Sequence, residues 1–212
     1  TLSSQYETSS GFTTKGWTQQ LGSSSDESVW GVTVDSSDNI YVTGYTKGGL
    51  DGNTSSESND FFLVKYNSSG TKQWTQQLGT SSSDVGIGVT ADYSNNIYVT
   101  GYTGGGLDGN TSSGNNDIFL VKYNSSGIKQ WTQQLGTSRE EIGWGVTVDS
   151  SNNIYVTGET GGTLDGNTSS GNNDIFLVKY NSSGTKQWTK QLGTSGQDYG
   201  HGVEVDNSSH IY

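Results

Sequence analysis

Apolar and polar positions alternate in short runs along this chain, and glycine, asparagine, aspartate and serine separate the runs. Within Thr80 to Gly136 the four runs read GVTAD, NIYVTGYT, DIFLVKY and KQWTQQLG. Each run is rich in β-branched and aromatic residues and is bounded by turn residues, which is typical of β-strands. Helix has little support, because the sequence has a single alanine and no long segment with a 3.6-residue period. The pattern therefore predicts an all-β fold built from units of four strands.

The four-strand unit recurs with a period of 57 residues, marked by a tryptophan in the fourth strand and an aspartate after the first. These markers are Trp17, Trp74, Trp131 and Trp188, and Asp35, Asp92, Asp149 and Asp206. One such unit cannot bury both of its faces, so the units must pack on one another, and this predicts the four-stranded antiparallel blades of a β-propeller. A β-solenoid is the competing repeat fold, but its coils use about 20 to 29 residues each.

The repeat divides residues 1–212 into one propeller with three complete blades and a partial unit at each end. The complete blades are 23–79, 80–136 and 137–193, while 1–22 supplies third and fourth strands and 194–212 supplies first and second strands. If the two halves pair within one molecule, two strands from each end close a ring of four blades and hide the sheet edges. If they pair between copies, a head-to-tail filament results. A piece of a longer array is the third interpretation.

The order and spacing of these blocks resemble a known family. The run GVTVDSSNNIYVTGET, followed by LDGNTSSGNNDIFLVKYNSSGTKQWTKQLGTS, is similar to the SBBP (beta-propeller) repeat family, and the likeness covers residues 16–212. The resemblance implies a β-propeller in a bacterial surface or secreted protein. The seven blades in the family's name cannot be carried over, because this chain holds fewer than four complete units. The family brings no catalytic motif to transfer.

The chain is acidic, with a formal net charge of -11 from 21 Asp and Glu against 10 Lys and Arg. Such a surface repels phosphate backbones and anionic lipid, so we expect neither nucleic acid nor a membrane surface as a partner. The absence of cysteine removes disulfides, Cys-ligated zinc and thiol chemistry. No apolar run approaches the roughly 20 residues that span a bilayer, so no membrane insertion is expected.

The loop between the second and third strands is the candidate metal site, with the sequence LDGNTSSGNND or LDGNTSSESND. Its carboxylate, amide and hydroxyl oxygens are the hard ligands that calcium selects, and Ca²⁺ is the one cofactor the sequence suggests. The predicted ligands are Asp51, Asn53, Asp60, Asp108, Asn110, Asp117, Asp165, Asn167 and Asp174. The match to an EF-hand is poor, because Ser113 and Phe119 stand where glycine and glutamate are required. The alternative is a solvated loop whose Asp and Asn cap their own turns.

A second acidic set lies just before the first strand of each unit. Its members are Glu27, Asp84, Glu141 and Asp198. A propeller would place them near one mouth of its channel, where four close carboxylates would need a cation or would raise at least one pKa. A hydrolase would need the same convergence, and unchanged turnover in a Glu141→Gln variant would remove that interpretation. If the side chains splay into solvent, both effects disappear.

Aromatic residues recur in two positions. The fourth-strand tryptophans are predicted to fill the contacts between blades, whereas a sugar-binding platform would need those rings exposed. Trp30 and Trp144 precede the inner glycine of their units, where Ile87 and His201 stand in the others. That variation indicates packing around the channel rather than a binding code.

The sequence contains asparagines in the N-x-Ser/Thr pattern that N-glycosylation requires. These candidates are Asn53, Asn67, Asn110, Asn124, Asn167, Asn181 and Asn207. The pattern arises easily in a chain so rich in serine, and NSSG is a good turn for its own reasons.

The sequence offers few candidate catalytic residues. His201 and His210 lie in the final partial unit, and no general acid, general base or nucleophile stands in a repeated position. We therefore expect no enzyme, but a structural or adhesive module outside the cell or on its surface, whose partners are other copies of itself or surface glycans. Two alternatives stay open. One is a lectin-like carbohydrate or calcium-dependent ligand-binding propeller, and the other is a hydrolase at the channel mouth.

Overall fold

Fourteen β-strands form the fold in a computed structural model of the protein, which describes residues 5–9, 12–206 and 208–212. The strands are β1 (Gln5–Ser9), β2 (Phe12–Gly16), β3 (Glu27–Val34), β4 (Ile40–Thr46), β5 (Asp60–Tyr66), β6 (Lys72–Leu78), β7 (Asp84–Ala91), β8 (Ile97–Thr103), β9 (Asp117–Tyr123), β10 (Lys129–Leu135), β11 (Glu141–Val148), β12 (Ile154–Thr160), β13 (Asp174–Tyr180) and β14 (Lys186–Leu192). Within those described ranges, no helix is long and apolar enough to cross a bilayer.

Strands β3 to β14 form three antiparallel sheets of four strands, and the strands of each sheet follow chain order. We call them blade 1 (β3 to β6), blade 2 (β7 to β10) and blade 3 (β11 to β14). The register repeats between blades, since Ile40 pairs with Tyr66 as Ile97 pairs with Tyr123. The prediction of four-stranded antiparallel units is confirmed.

The apolar core lies between the blades. One buried cluster joins blade 1 to blade 2 and contains Tyr41, Phe61, Leu63, Ile97, Val99, Leu107, Phe119, Val121 and Tyr123. The matching cluster joins blade 2 to blade 3 and contains Tyr98, Ile118, Leu120, Ile154, Val156, Leu164, Phe176, Val178 and Tyr180. Each blade therefore has a forward face, such as Tyr41, Phe61 and Leu63, and a rear face, such as Val99 and Phe119, which receives the preceding blade. Burying one such side chain contributes roughly 1.5 to 3 kcal/mol.

The first strands of the blades surround a central cavity of about 570 Å³. Gly31, Gly88 and Gly145 line it from the three blades, and Gly202 lines it from the C-terminal segment. A Cβ at Gly31 would lie 2.4 Å from the carbonyl oxygen of Ile87, so only glycine fits where these strands converge. Repeated sheets set radially around a channel are the architecture of propeller blades.

The two ends of the chain do not complete a fourth blade. In the described residues β1 pairs with β2 alone, and near the other end Val205 bridges Ile211. The predicted ring of four blades, closed by two strands from each end, is therefore wrong for this structure, which has three four-stranded sheets and no closed ring. The backbone groups of Glu204 and Tyr212 bond to each other at 3.0 and 3.1 Å, so the C-terminal segment forms a hairpin of its own, as β1 and β2 do.

The repeated aspartate after the first strand holds the hairpin turn. In blade 3, Asp149 accepts the backbone N–H groups of Ser151 and Asn153 at 2.9 and 2.8 Å, the Asn153 amide at 2.8 Å and the Tyr155 hydroxyl at 3.0 Å. Burial alone would raise the pKa of Asp149, but these hydrogen bonds outweigh it and lower the pKa. The same bonds surround Asp35 and Asp92. The 57-residue spacing of these aspartates thus marks a structural turn.

Candidate functional site

The predicted calcium loops are held together by their own side chains. Asp51 has a left-handed backbone, with φ of 51°, and its carboxylate binds Lys72 Nζ and Thr75 Oγ1. Asn53 donates its Nδ2 to the Leu50 carbonyl at 2.8 Å. The other two loops carry the equivalent ion pairs, Lys129 with Asp108 and Lys186 with Asp165, and the equivalent amide bonds from Asn110 and Asn167. The side-chain oxygens of the loop aspartates bind lysine and threonine and do not point to one common centre. Calcium binding within a single loop stays a prediction.

The last predicted ligand of each loop lies apart from the others, at the start of the third strand. These residues are Asp60, Asp117 and Asp174, and all are 0% exposed. Asp60 Oδ2 accepts the Ser56 N–H at 2.9 Å and the Gln77 amide at 2.7 Å. Among the described residues, Oδ1 of each has no hydrogen-bond partner. A Cβ at Gly79 would lie 1.9 Å from Asp60 Oδ1, so glycine keeps the space beside this oxygen clear.

The acidic set before the first strand lies at the junctions between blades. Asp84 is 0% exposed, and its N–H donates to the Asn59 carbonyl of the preceding blade at 2.7 Å. Its Oδ2 accepts the Thr80 N–H at 2.6 Å and the Thr80 hydroxyl at 3.0 Å. The nearby Thr103 hydroxyl lowers the pKa of this carboxylate, but it donates to the Gly105 carbonyl at 3.1 Å, so Oδ1 has no partner of its own within the described part of the chain. Burial raises the pKa of Asp84, and the nearby Asp60 carboxylate raises it further, against the hydrogen bonds it accepts.

The predicted convergence of this set at the channel mouth is therefore wrong for the residues that the structure describes, among which no three His, Asp or Glu side chains gather. Each carboxylate is instead bound within its own junction. The arrangement that the hydrolase alternative requires is accordingly not found in these ranges.

A longer side chain fills the junction between blades 2 and 3. Glu141 Oε1 accepts the hydroxyls of Thr137 and Thr160 at 2.6 and 2.9 Å, and Oε2 accepts the Thr137 N–H at 2.6 Å. Both carboxylate oxygens thus have partners, although burial and the nearby Asp117 raise the pKa of Glu141. At the third junction Asp198 is only partly buried. Among the described junctions, that of Asp60 with Asp84 is therefore the one with an unpartnered oxygen on both carboxylates.

Aromatic side chains gather at the channel. The pairing of β3 and of β11 is interrupted by a β-bulge at Trp30 and at Trp144, and a bulge changes the direction of its side chain. The two rings lie 6.5 Å apart, His201 lies 5.4 Å from Trp144, and Tyr199 lies 6.1 Å from His201. Trp144 Nε1 also donates to Glu159 at 3.4 Å. These residues lie around the channel, as predicted, but Trp30 remains 52% exposed.

The fourth-strand tryptophans pack on the turn of the next blade. A Cβ at Gly127 would lie 2.9 Å from the Trp74 ring, and one at Gly184 would lie 3.0 Å from the Trp131 ring. Trp74 also lies 5.9 Å from Tyr41 of its own blade. The prediction that these rings fill inter-blade contacts is confirmed for Trp17, Trp74 and Trp131. A side chain in place of the glycine that ends the NSSG turn would collide with each of these rings.

The outermost blades leave apolar positions uncovered. Leu192, on the forward side of blade 3, is 75% exposed, whereas Leu78 and Leu135 at the same position pack into the inter-blade clusters. On the rear side of blade 1, Val32 and Val34 are 65% and 55% exposed. Their equivalents in the other blades pack into the same clusters.

The ends of the chain cover the other half of each open face. Leu21 packs against the cluster that contains Leu50, Phe62, Val64 and Tyr66 on the rear face of blade 1, and a Cβ at Gly70 would lie 2.5 Å from Trp17. Val203, 7% exposed, lies in the C-terminal segment beside blade 3. Among the described residues, the inner half of the rear face of blade 1 and the outer half of the forward face of blade 3 therefore stay open.

Three of the candidate glycosylation asparagines, Asn67, Asn124 and Asn181, accept hydrogen bonds from backbone N–H groups of their own turns. Asn67 Oδ1 accepts the N–H groups of Ser69 and Thr71 at 3.2 and 2.8 Å. Asn124 and Asn181 form the equivalent bonds, and Asn207 lies outside the described residues. These turns explain the recurrence of asparagine, and N-glycosylation stays a prediction.

Two curated proteins are similar to this chain over most of its length. One is the "Uncharacterized WD repeat-containing protein L264" of Acanthamoeba polyphaga mimivirus, 27% identical over 91% of this chain. Another is the "Regulatory protein FlaEY" of Caulobacter vibrioides, 25% identical over 72% of this chain. The chain spans 18% of the length of each relative.

A sequence model of the beta-propeller repeat family, SBBP, matches three segments of the chain. They are residues 16–51, 73–108 and 130–164. Each segment begins in or just before a fourth strand, crosses the junction and ends at the start of the loop after the second strand. The match therefore follows the contact between blades that the structure repeats. The chain belongs to the SBBP family of beta-propeller repeats.

Proposed function

We propose that this protein is a non-enzymatic structural repeat module that assembles head to tail with copies of itself, at the cell surface or outside the cell. The observation that carries the proposal is the pair of half-open faces at the two ends of the blade stack. The location follows from the family resemblance, and an adhesive role follows from display of the repeated loops along such an assembly.

The internal junctions indicate what fits the open faces. The forward face of blade 1 already binds the rear face of blade 2, and blade 2 binds blade 3 in the same way. The open positions on blades 1 and 3 are repeats of those same two surfaces. A blade completed by a second copy therefore presents to each open face a surface of the kind that this face already binds elsewhere in the molecule. Such a head-to-tail contact is heterologous, so it can continue into a filament.

The terminal strands offer a complementary pairing. By the register of Ile40 with Tyr66, the equivalent partner of Ile211 is Ser9 at the end of β1. Between copies, the C-terminal strands of one molecule and the N-terminal strands of the next would form one four-stranded blade. That pairing would cover Val32 and Val34 of one copy and Leu192 of the other, and would hide the open edge of β1.

Light scattering tests the assembly. The native chain is expected to give masses that rise with concentration in multiples of 22.6 kDa. Leu192→Asp places a charge in the forward contact and Val32→Asp places one in the rear contact, so each variant alone is expected to stay at 22.6 kDa. A mixture of the two variants retains one intact contact and is expected to form dimers and nothing larger.

The matched control is Lys190→Gln, an exposed change on the same strand as Leu192 that introduces the residue of the other blades. It is expected to assemble as the native chain does. A native chain that stays monomeric at every concentration, or an aspartate variant that assembles normally, contradicts the proposal.

A second candidate function is carbohydrate binding at the channel, favoured by the aromatic cluster of Trp30, Trp144, His201 and Tyr199. Sugars stack on exposed aromatic faces, and the Trp30 ring is 52% exposed beside the channel. On a glycan array, Trp30→Ala is expected to lose at least ten-fold in affinity, while Tyr93→Ala, an exposed aromatic in another pocket, retains binding. A silent array with folded native protein removes this candidate.

A further inference from the structure

Two fully buried carboxylates meet where blade 2 joins blade 1. Asp60 begins β5, and Asp84 begins β7 on the neighbouring sheet. The Asp84 N–H donates to the carbonyl of Asn59, the residue directly before Asp60, at 2.7 Å. This bond brings the two residues together across the junction, where the Asp60 carboxylate is close enough to raise the pKa of Asp84, and both are 0% exposed.

Each of the two carboxylates has one satisfied and one unsatisfied oxygen. Oδ2 of Asp60 accepts bonds from Ser56 and Gln77, and Oδ2 of Asp84 accepts two bonds from Thr80. Oδ1 of both residues has no partner among the described residues. Buried polar groups are almost always bonded, so two such oxygens at one junction require a partner.

Among the described residues, no ion pair joins a lysine or arginine to Asp60 or Asp84. The lysines in the described ion pairs bind Asp26, Asp51, Asp108 and Asp165. Two buried carboxylates without a cation repel each other and lose their hydration. A bound divalent cation removes both penalties, because it neutralises the charge and takes up the free oxygens.

The ligand chemistry selects the kind of cation. The available side-chain atoms are carboxylate oxygens, with no cysteine in the chain, and hard oxygen ligands favour calcium over zinc or copper. No third His, Asp or Glu joins the group within the described ranges. Main-chain carbonyls and water would complete the coordination, as they do at many calcium sites.

We propose that Asp60 and Asp84 bind one calcium ion between blades 1 and 2. The other junctions do not form an equal site, because Glu141 has partners for both oxygens and Asp198 is only partly buried. The ion joins two neighbouring sheets, so it stabilises their contact. The proposed site differs from the calcium site that the sequence predicted within one loop. Of the predicted loop ligands, it uses only Asp60.

Calorimetric titration and thermal melting of the full chain test the site, with calcium chloride as the probe and a chelator as reference. The native chain is expected to bind one calcium ion and to melt on the order of 5 °C higher with saturating calcium. Asp84→Asn is expected to lose both effects. The repeat-matched control, Glu141→Gln, is expected to keep them.

A third variant protects the test against misfolding of Asp84→Asn. Glu141→Asp shortens the side chain at the second junction, so that its carboxylate is placed like that of Asp84. The number of calcium ions bound per chain is therefore expected to rise from one to two. If the native protein neither binds calcium nor changes its melting temperature, the proposal is overturned, and a proton shared by Asp60 and Asp84 would explain the buried pair. Unchanged calcium binding in Asp84→Asn overturns it as well.

Discussion

Replacing Phe119 with alanine is expected to lower the free energy of unfolding by about 4 kcal/mol, because it removes a fully buried ring from the middle of the blade stack. Phe119 lies on the rear face of blade 2 and stacks on Phe61 of blade 1 with 4.7 Å between ring centroids. The sheets on both sides limit how far the cavity can collapse. Urea unfolding measures the loss, and the melting temperature is expected to fall by about 8 to 16 °C.

Two matched variants separate this loss from a general effect of truncation. Phe62→Ala removes the equivalent ring beside the partly open face of blade 1, where the surroundings can relax, and is expected to cost about 2 kcal/mol. Ile128→Thr changes a 62% exposed residue to the one found in the other repeats, and is expected to cost less than about 0.5 kcal/mol. Equal losses of unfolding free energy for Phe119→Ala and Ile128→Thr would show that Phe119 is not part of the stabilising core.

Replacing Gly101 with alanine is expected to destabilise the protein by about 3 kcal/mol, since the added methyl group has no space. Gly101 lies in β8 opposite the bulge of β7, and its Cβ would stand 1.8 Å from the carbonyl oxygen of Val85. That atom belongs to the backbone, so no side-chain rotation relieves the clash. The strands must separate, which breaks ladder hydrogen bonds of blade 2.

The same substitution at Gly202 is the control for Gly101→Ala. No atom lies within 4 Å of a Cβ at Gly202, so this variant is expected to change stability by less than about 0.5 kcal/mol. Thermal melting of both variants, followed by circular dichroism, makes the comparison. Similar melting temperatures for the two would show that the backbone approach at Gly101 does not limit the packing of β7 on β8.

The strands and their turns could be predicted because the residues that define them are close in sequence. Alternating β-branched residues between Asp, Asn and Gly turns identify each strand, and Asp149 lies within six residues of every group it binds. The slot of Trp74 against the next blade followed from its repetition. Local chemistry and the 57-residue period together were sufficient for these features.

Features that depend on contacts between distant residues were missed. Asp60 and Asp84 were placed in two different candidate sites, because nothing in the local pattern shows that their blades bring them together. The bulge at Trp144 shifts the register by one residue, which alternation does not reveal. Closure of the ring was also predicted wrongly, because complementary half-units show that strands can pair but not whether they pair within one chain.

Electron microscopy of the native protein tests the central claim most directly, namely that the ends of neighbouring copies combine into one blade that covers the open halves of blades 1 and 3. We expect rows of particles in which each molecule adds three blades and shares one composite blade with the next. Isolated particles at every concentration, with Val32 and Leu192 covered by the chain's own ends, would contradict it.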